Sequence, residues 1–431
     1  MAFPANATLR QLALLVFVGS LAVYLANGHS IPSGDTVPAR LLPLSILREG
    51  NLDLDEFPFL YETGRPYYLQ HVRGHYVSSY PIGAGVAAVP FFLPLALTGV
   101  DPQGTAVVAV EKLAAAVMVA LSAAVVFLVV VQLVSRRAAL WLAIAYALGT
   151  SSFSQSSQAL WQHGPAQLAI ALGIYGTLRA RADARWLALV GLSLGFAIVC
   201  RPSDALIVAP IAAHVLIEQR RRRGSPLPFL ATMAVPLAFQ AAYGAVYFGD
   251  PARLQWSLTD TAQWSTPLFT GLAGLLVSPS RGLLVYSPFV VFSLAGGLLA
   301  WRRGGEPLLR WLGLAVVASL LLDARWAFWW GGTCYGPRLL ADLSPVLVVL
   351  VTPLAPRLER DKCLTALFAV LLAWSIGMHA IGAFCTDLGW NDRREIDVHP
   401  EGLWSWSDNQ PVECLRALVA PATAPGSPRR P

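Results

Sequence analysis

The sequence has few charged residues: Asp, Glu, Lys and Arg together make up only 13% of its 431 residues. Soluble globular proteins carry about 25% charged residues, so almost every class of water-soluble enzyme is excluded. Apolar residues make up 55% of the chain, a proportion that excludes intrinsic disorder. Five cysteines are too few for a secreted disulfide scaffold of this length. These proportions predict an all-α polytopic membrane protein.

Lysine is scarce as well, because Lys112 and Lys362 are the two lysines among 31 basic residues. This bias towards Arg, in an alanine-rich background, is typical of a GC-rich bacterial genome. The sequence contains no P-loop or Rossmann glycine pattern, which disfavours a nucleotide-driven pump and a nucleotide-sugar enzyme. It also shows no internal repeat and no charge in the middle of a predicted span, and both observations count against a transporter.

About eleven apolar segments have a length and composition suited to membrane-spanning helices. They lie near residues 10–26, 113–134, 138–154, 164–178, 186–200, 205–218, 227–247, 283–300, 308–322, 339–354 and 363–383. Basic residues concentrate in the alternate loops that include residues 136–137 and 220–223, as expected of cytoplasmic loops. The predicted location is the cell membrane, which is the cytoplasmic or inner membrane of a bacterium. The N-terminus is predicted to lie on its cytoplasmic side and the C-terminus on its outer side. The net charge of +6 is then a signal of topology, and no nucleic-acid partner is expected.

One further apolar segment, 82–99, does not fit this plan, because counting it as a span would place the basic loops outside. It contains Pro90 and Pro94, which weaken a continuous helix. We therefore expect a re-entrant or juxtamembrane helix on the outer face. The predicted organisation is a transmembrane domain, 1–383, whose first outer loop is 27–110, followed by a short outer tail, 384–431.

An acidic residue follows the first predicted span, in Ser33-Gly34-Asp35-Thr36. Asp35 would lie where the membrane surface meets the outer aqueous phase, and a partly buried carboxylate there can act as a general base. The alternative is a simple turn that leads into an amphipathic helix over Pro38 to Leu47.

Three carboxylates, those of Asp53, Asp55 and Glu56, lie within four residues and could ligate a hard divalent cation. Alternation favours another interpretation, in which Leu52 and Leu54 face inward while the two Asp side chains face water.

His71 and His75 have the i, i+4 spacing of a metal site on a helix. Gly74 and the surrounding Tyr and Arg residues favour a loop instead.

Several outer turns carry polar residues that could bind a lipid phosphate. Tyr80 precedes Pro81 and the segment 82–99, at the depth of lipid headgroups. Arg201 lies in the turn between the fifth and sixth spans, where a guanidinium could clamp a phosphate. An alternative partner for Arg201 is Asp204, across the same turn.

The third and fourth outer loops are rich in aromatic residues and glycine. The third ends in the run 276–288, and the fourth is Arg325-Trp326-Ala327-Phe328-Trp329-Trp330-Gly331-Gly332-Thr333-Cys334-Tyr335-Gly336-Pro337-Arg338. Aromatic faces can stack on sugars, and glycine lets the backbone approach a ligand closely. An interfacial aromatic belt would explain the tryptophans, but it does not require the glycine pair.

Cys385 and Cys414 both lie in the predicted outer tail. That compartment is oxidising, so the two cysteines could form a disulfide, and the sequence does not decide whether they do.

Taken together, the chain resembles the GT-C glycosyltransferases of the protein O-mannosyltransferase and aminoarabinose-transferase type. The resemblance rests on the eleven-span plan with a long first outer loop, and on short motifs. These motifs are Gly34-Asp35, Ser79-Tyr80-Pro81, the stretch from Gly195 to Pro202, the stretch from Ser278 to Pro288, and the stretch from Trp329 to Arg338.

The resemblance implies transfer of a sugar from a polyprenyl-phosphate donor to a hydroxyl of a glycan, lipid or protein acceptor, with inversion and with Asp35 as general base. It implies donor-phosphate contacts from Arg201, Arg281, Arg338 and Tyr80. Sugar or acceptor contacts are expected from His163, Trp329, Trp330, Tyr335 and Tyr286. No metal ligand is assigned, and a requirement for magnesium or manganese is left open.

Two other functions remain alternatives at the level of sequence. One is a transporter or flippase of a lipid-linked sugar, which would move its substrate without breaking the glycosidic bond. The other is a membrane scaffold without catalytic activity.

Overall fold

The computed structural model describes residues 8–253, 261–385 and 389–419. Within these residues the chain is mostly helical and has one small β-hairpin. The α-helices are α1 (Leu9–Leu25), α2 (Thr36–Arg48), α3 (Gly83–Ala96), α4 (Thr105–Val130), α5 (Arg136–Leu148), α6 (His163–Arg179), α7 (Trp186–Cys200), α8 (Ala205–Arg221), α9 (Leu227–Tyr243), α10 (Leu268–Val277), α11 (Leu283–Tyr286), α12 (Val291–Arg303), α13 (Leu308–Asp323), α14 (Ser344–Leu350), α15 (Ala355–Leu358), α16 (Lys362–Ala383), α17 (Trp390–Arg393) and α18 (Gln410–Val419). The strands β1 (Leu69–Val72) and β2 (His75–Ser78) pair antiparallel.

Four helical segments of the described residues are long and apolar enough to cross a membrane. They are Thr105–Val130, Leu227–Phe248, Arg338–Leu358 and Lys362–Ala383. The protein is therefore embedded in a membrane. The number of eleven spans and the orientation of the termini stay predictions.

Small residues allow the helices of the core to pack closely. Helix α4 contacts α1, α5 and α6, and Ala116, Ala120 and Ala123 of α4 are fully buried. Between α7 and α9, a Cβ atom on Gly191 would lie 2.0 Å from the Phe229 carbonyl oxygen. Such close approach maximises van der Waals contact, which is the main force between helices in a membrane.

The segments 283–300 and 113–134 are two of the places where the structure differs from the predicted spans. The segment 283–300 is not one helix, because it breaks between α11 and α12 at Ser287-Pro288, where proline cannot donate a backbone hydrogen bond. Helix α4 begins at Thr105, well before the predicted residue 113, so Glu111 and Lys112 are buried within it. Glu111 is tolerated there because its carboxylate lies 3.6 Å from the Arg40 guanidinium.

The first outer loop folds into α2, the hairpin and α3. Helix α2 agrees with the amphipathic helix predicted from Pro38 to Leu47, and α3 agrees with the helix predicted in 82–99. These two helices pack tightly, since a Cβ atom on Gly85 would lie 2.8 Å from the Leu42 side chain. Whether α3 lies in or on the membrane stays a prediction.

The segment predicted to be the outer tail is attached by a disulfide between Cys385, which follows α16, and Cys414 in α18. The two Cα atoms lie 5.1 Å apart, and both residues are buried. The other three cysteines, Cys200, Cys334 and Cys363, are free thiols.

This pairing predicts the thiol count of the purified protein. The denatured, unreduced chain should react with three equivalents of a thiol reagent, and the reduced chain with all five, because two thiols are held in the disulfide. Spectrophotometric thiol titration measures both values. Five reactive thiols before reduction would contradict the pairing, and Cys385→Ser with Cys414→Ser supplies the matched control.

Candidate active site

A cavity of about 350 Å³ opens among the segments predicted to be outer loops. Its lining comes from the first predicted outer loop, the residue before α6, the α7–α8 turn, the segment before α10, the end of α13 with the loop that follows it, and the tail. The lining residues are Ser33, Asp35, Tyr67, Tyr80, Gln162, Arg201, Ser203, Gln263, Trp264, Asp323, Trp326, Phe328, Gly331, Gly332, Thr333, Arg338, Leu339 and Asp397. Four residues predicted from the sequence therefore meet here: Asp35, Tyr80, Arg201 and Arg338.

Asp35 immediately precedes α2, and two donors hold its carboxylate. Tyr67 donates its hydroxyl to Oδ1 at 3.2 Å, and Arg338 donates from Nη2 to Oδ2 at 2.5 Å. The preceding Gly34 is needed for this geometry, because a Cβ atom there would lie 2.2 Å from the Tyr67 oxygen. The Asp35 side chain is 11% exposed and lines the cavity, so a ligand in the cavity can contact it.

Arg338 links the first outer loop to the turn that follows the fourth outer loop. Its side chain is 10% exposed, and its guanidinium carbon lies 4.8 Å from the ring centre of Trp161. This cation–π contact adds to the ion pair with Asp35. Both Gly331 and Gly332, which line the cavity near Arg338, have positive φ angles of 80° and 69°, where glycine is favoured.

Arg201 is the second cation of the cavity. Its Nη1 donates to Asp342 Oδ2 at 2.7 Å and to the Leu339 carbonyl at 2.8 Å, and its Nη2 lies 3.9 Å from Asp323. Burial disfavours the charged guanidinium, but the carboxylates of Asp342 and Asp323 outweigh it and raise the pKa of Arg201. Arg201 is thus a fixed positive charge, and the strong ion pair is with Asp342.

Tyr80 supplies a hydroxyl to the same cavity. Burial and the nearby negative charge of Asp35 both raise the pKa of Tyr80. Its phenol therefore stays protonated at neutral pH and can donate a hydrogen bond.

Six other predicted residues do not line this cavity. His163 is fully buried and bonds through Nδ1 to Asp342 Oδ2 at 2.9 Å. It supports the carboxylate that holds Arg201, so it lies behind the cavity wall.

Arg281 is also fully buried, and its five donors are directed to the protein itself. It donates to the Trp330 carbonyl at 2.9 Å and to Asn391 Oδ1 at 2.6 Å, and it reaches Gln410 Oε1 at 3.4 Å. Arg281 therefore attaches the outer tail to the fourth outer loop and does not face the cavity.

The predicted aromatic contacts are packing residues in this structure. Trp329 and Trp330 form a buried cluster with Trp390, Ile396 and Leu403 of the tail. Tyr286 donates to the Ser280 carbonyl at 3.0 Å. Tyr335 donates to the Met378 carbonyl at 2.7 Å, and both tyrosines pack near the disulfide.

Sequence reasoning missed Tyr67 and Asp397, which line the cavity, and Asp342 as the partner of Arg201. Tyr67 occurs in Arg65-Pro66-Tyr67-Tyr68, a short aromatic run after a proline that offered a weak signal. Asp342 lies four residues after Arg338, and the sequence predicts that it stands at the outer end of a span. The sequence does not predict that Asp342 pairs with Arg201. Nothing in the sequence near Asp397 indicated that it would line a cavity together with residues as distant in the chain as Asp35.

A second group of polar residues lies outside the lining of this cavity. One ligand atom each from Asp53, Asp55 and His75 fall within 4.8 Å of one another, and His75 Nδ1 lies 2.8 Å from Asp55 Oδ2. The expectation that Asp53 faces water is wrong, because it is buried and accepts a hydrogen bond from Tyr247 at 3.2 Å. Contacts with β2 accompany this burial, since the Leu54 N–H donates to the Tyr76 carbonyl at 2.8 Å and the Tyr76 N–H donates to Asp55 Oδ1 at 2.6 Å.

Solved structures show which fold this arrangement belongs to. ArnT from Cupriavidus metallidurans, bound to undecaprenyl phosphate, superposes with a TM-score of 0.52 at 13% identity, over 91% of this chain and 79% of ArnT. The chain has the GT-C fold. The oligosaccharyltransferase from Archaeoglobus fulgidus, tethered to an acceptor peptide, shares this GT-C fold with a TM-score of 0.50 at 14% identity, over 92% of this chain and 60% of that one.

Sequence comparison agrees over part of the chain. A profile of the family described as dolichyl-phosphate-mannose-protein mannosyltransferase matches residues 101–243. No curated protein shows detectable sequence similarity. The GT-C resemblance seen in the motifs is therefore confirmed.

Two arginine–carboxylate pairs have similar distances but different burial: Arg201–Asp342 at 2.7 Å and Arg222–Glu218 at 2.6 Å. Comparing them tests how burial changes the contribution of an ion pair to stability. Asp342→Ala removes the nearer partner of buried Arg201 and should lower the free energy of unfolding by about 3 kcal/mol, because the buried guanidinium then keeps only the more distant Asp323 carboxylate at 3.9 Å. Glu218→Ala removes an exposed pair with Arg222 at 2.6 Å and should cost about 0–1 kcal/mol. Thermal unfolding in detergent measures both. Equal losses in the two variants would contradict the assigned role of Asp342.

Proposed function

We propose that this protein is an integral-membrane glycosyltransferase that moves a sugar from a polyprenyl-phosphate donor to an acceptor hydroxyl. The reaction takes place on the outer face of the cytoplasmic membrane. The observation that carries the proposal is the Asp35 carboxylate, held in a cavity by Arg338 and Tyr67. The ArnT structure bound to undecaprenyl phosphate and the family named for a dolichyl-phosphate donor both support a lipid-phosphate donor.

Asp35 is the general base of the proposed reaction. Its carboxylate takes the proton from the acceptor hydroxyl, and the acceptor oxygen attacks the anomeric carbon of the donor sugar. The bond between that carbon and the phosphate oxygen breaks, and the lipid phosphate leaves with the electron pair. A single displacement of this kind inverts the anomeric centre. A base of this type contributes about 10²–10⁴-fold to the rate.

The leaving lipid phosphate is a stable anion, so it requires fixed positive charge more than a general acid. Arg338 supplies this charge, and its guanidinium is paired with Asp35. An arriving phosphate would compete with Asp35 for the guanidinium, and the exchange would release the carboxylate for catalysis. Arg201 adds a second cation, and the protonated Tyr80 can donate a hydrogen bond to a phosphate oxygen.

Replacing the base tests the central assignment. Asp35→Asn should lower sugar transfer by about 10²–10⁴-fold while the protein still inserts and folds, because the amide cannot accept the proton. The measurement is release of lipid phosphate from a panel of polyprenyl-phosphate sugars by protein in detergent, with a membrane extract as the source of acceptors. Asp101→Asn, an exposed change in the same outer loop, is the matched control.

Two outcomes would count against this function. Undiminished release by Asp35→Asn would exclude Asp35 as the base. Absence of release from every donor with the wild-type protein would favour a carrier that moves a lipid-linked sugar without cleaving it, and donor translocation in vesicles would then be measured.

Arg338→Gln tests the phosphate contact separately from catalysis. Loss of a charge-assisted hydrogen bond costs about 1.5–3 kcal/mol, so affinity for undecaprenyl phosphate should fall at least about tenfold. Equilibrium binding in detergent measures this affinity. Arg338→Lys, which keeps the charge, should retain part of it, and Arg65→Gln in an exposed position of the first outer loop should change nothing. Unchanged binding by Arg338→Gln would contradict the assignment.

A further inference from the structure

The side of the cavity formed by Trp264, Trp326, Phe328 and Asp397 has no part in the transfer step proposed above. We call these four residues the outer wall. All four line the cavity, and each remains at least partly exposed. Three are aromatic and one is a carboxylate, and they come from three separate parts of the chain.

The two tryptophan rings of the outer wall are held in a fixed arrangement. Their centres lie 4.9 Å apart and their planes meet at 69°. The backbones that carry them are joined as well, since Arg325 donates to the Trp264 carbonyl at 3.0 Å and Thr266 donates to the Trp326 carbonyl at 2.7 Å. The rings are therefore preorganised, and little side-chain entropy would be lost when a ligand binds.

Asp397 reaches the outer wall from the tail and is held there by buried neighbours. Trp330 donates from its indole Nε1 to Asp397 Oδ1 at 2.8 Å. The adjacent Ile396 is packed in the tryptophan cluster, and Asn391 earlier in the tail is fastened by Arg281. The Asp397 carboxylate, an acceptor of hydrogen bonds when ionised, is thus positioned at the cavity by the rest of the tail.

We propose that the outer wall is the acceptor subsite and that it binds a saccharide. The inference rests on the proposed function, because only a glycosyltransferase has an acceptor. Binding of a saccharide to the outer wall can nevertheless be measured without catalysis. Aromatic faces stack on the apolar C–H faces of a sugar ring, and a carboxylate accepts hydrogen bonds from neighbouring sugar hydroxyls. A serine or threonine side chain presents one hydroxyl and no ring face, so it would leave the paired tryptophans without a matching surface.

Binding to the purified full-length protein in detergent tests the proposal. The probes are a panel of neutral trisaccharides and a serine- and threonine-rich hexapeptide, titrated by saturation-transfer NMR without donor. We expect at least one trisaccharide to bind, and the hexapeptide not to bind. Asp397→Asn and Trp326→Ala should each weaken trisaccharide binding about tenfold, the effect of one lost charge-assisted hydrogen bond or one stacked ring.

Matched controls come from the same tail. Asp392→Asn changes an exposed carboxylate that does not line the cavity, and Trp406→Ala removes a ring that is 69% exposed. Neither should change the dissociation constant. Because Asp397→Asn keeps the shape of the side chain, it remains informative if Trp326→Ala fails to fold.

Three results would overturn the acceptor subsite: no trisaccharide binds, the hexapeptide binds and loses affinity in Asp397→Asn, or the outer-wall and control variants behave alike. Failure of the proposed function would look different, because it would appear as absent lipid-phosphate release while saccharide binding persisted.

Discussion

The ion pair between Asp35 and Arg338 is the interaction on which the architecture of the cavity depends. It joins residues 303 positions apart, and both side chains are about nine-tenths buried. Each of the two charges offsets part of the cost of burying the other. The pair therefore fastens the first outer loop to the turn that begins at Arg338. The same turn carries Asp342, which holds Arg201, so one short segment of backbone places both cations of the cavity.

Behind this arrangement lies a layer of residues that hold the loops without reaching the cavity. Arg281 directs its donors to the fourth outer loop and to the tail, and His163 supports Asp342. The disulfide between Cys385 and Cys414 limits how far the tail can move. A buried polar group is stable only when its hydrogen bonds are satisfied, and here that requirement forces the tail, the loop and the α7–α8 turn into one relative position.

Four of the cavity residues could be recognised from the sequence, and for a common reason. Asp35, Tyr80, Arg201 and Arg338 each lie at an end of an apolar segment, next to glycine or proline, and alternating topology predicts that such ends share one face of the membrane. Arg281, Trp330 and Tyr335 also stand next to a glycine, yet their side chains turn into the protein, as do those of Tyr286 and Trp329. How deeply each side chain is buried, and whether it points into the cavity or into the protein, depends on the packing between helices and loops. Local sequence does not encode this packing.

Composition and charge distribution alone determined that this chain belongs in a membrane. With 55% apolar and only 13% charged residues, too much apolar surface would be exposed to water, which is unfavourable in free energy. The motifs at the ends of the apolar segments were enough to indicate the GT-C fold and to single out Asp35. Tertiary structure alone decided which arginine meets that carboxylate, which carboxylates surround the other arginine, and that Asp397 joins the same cavity. These outcomes depend on contacts between residues far apart in the chain, whose energies exist only once the helices are packed together.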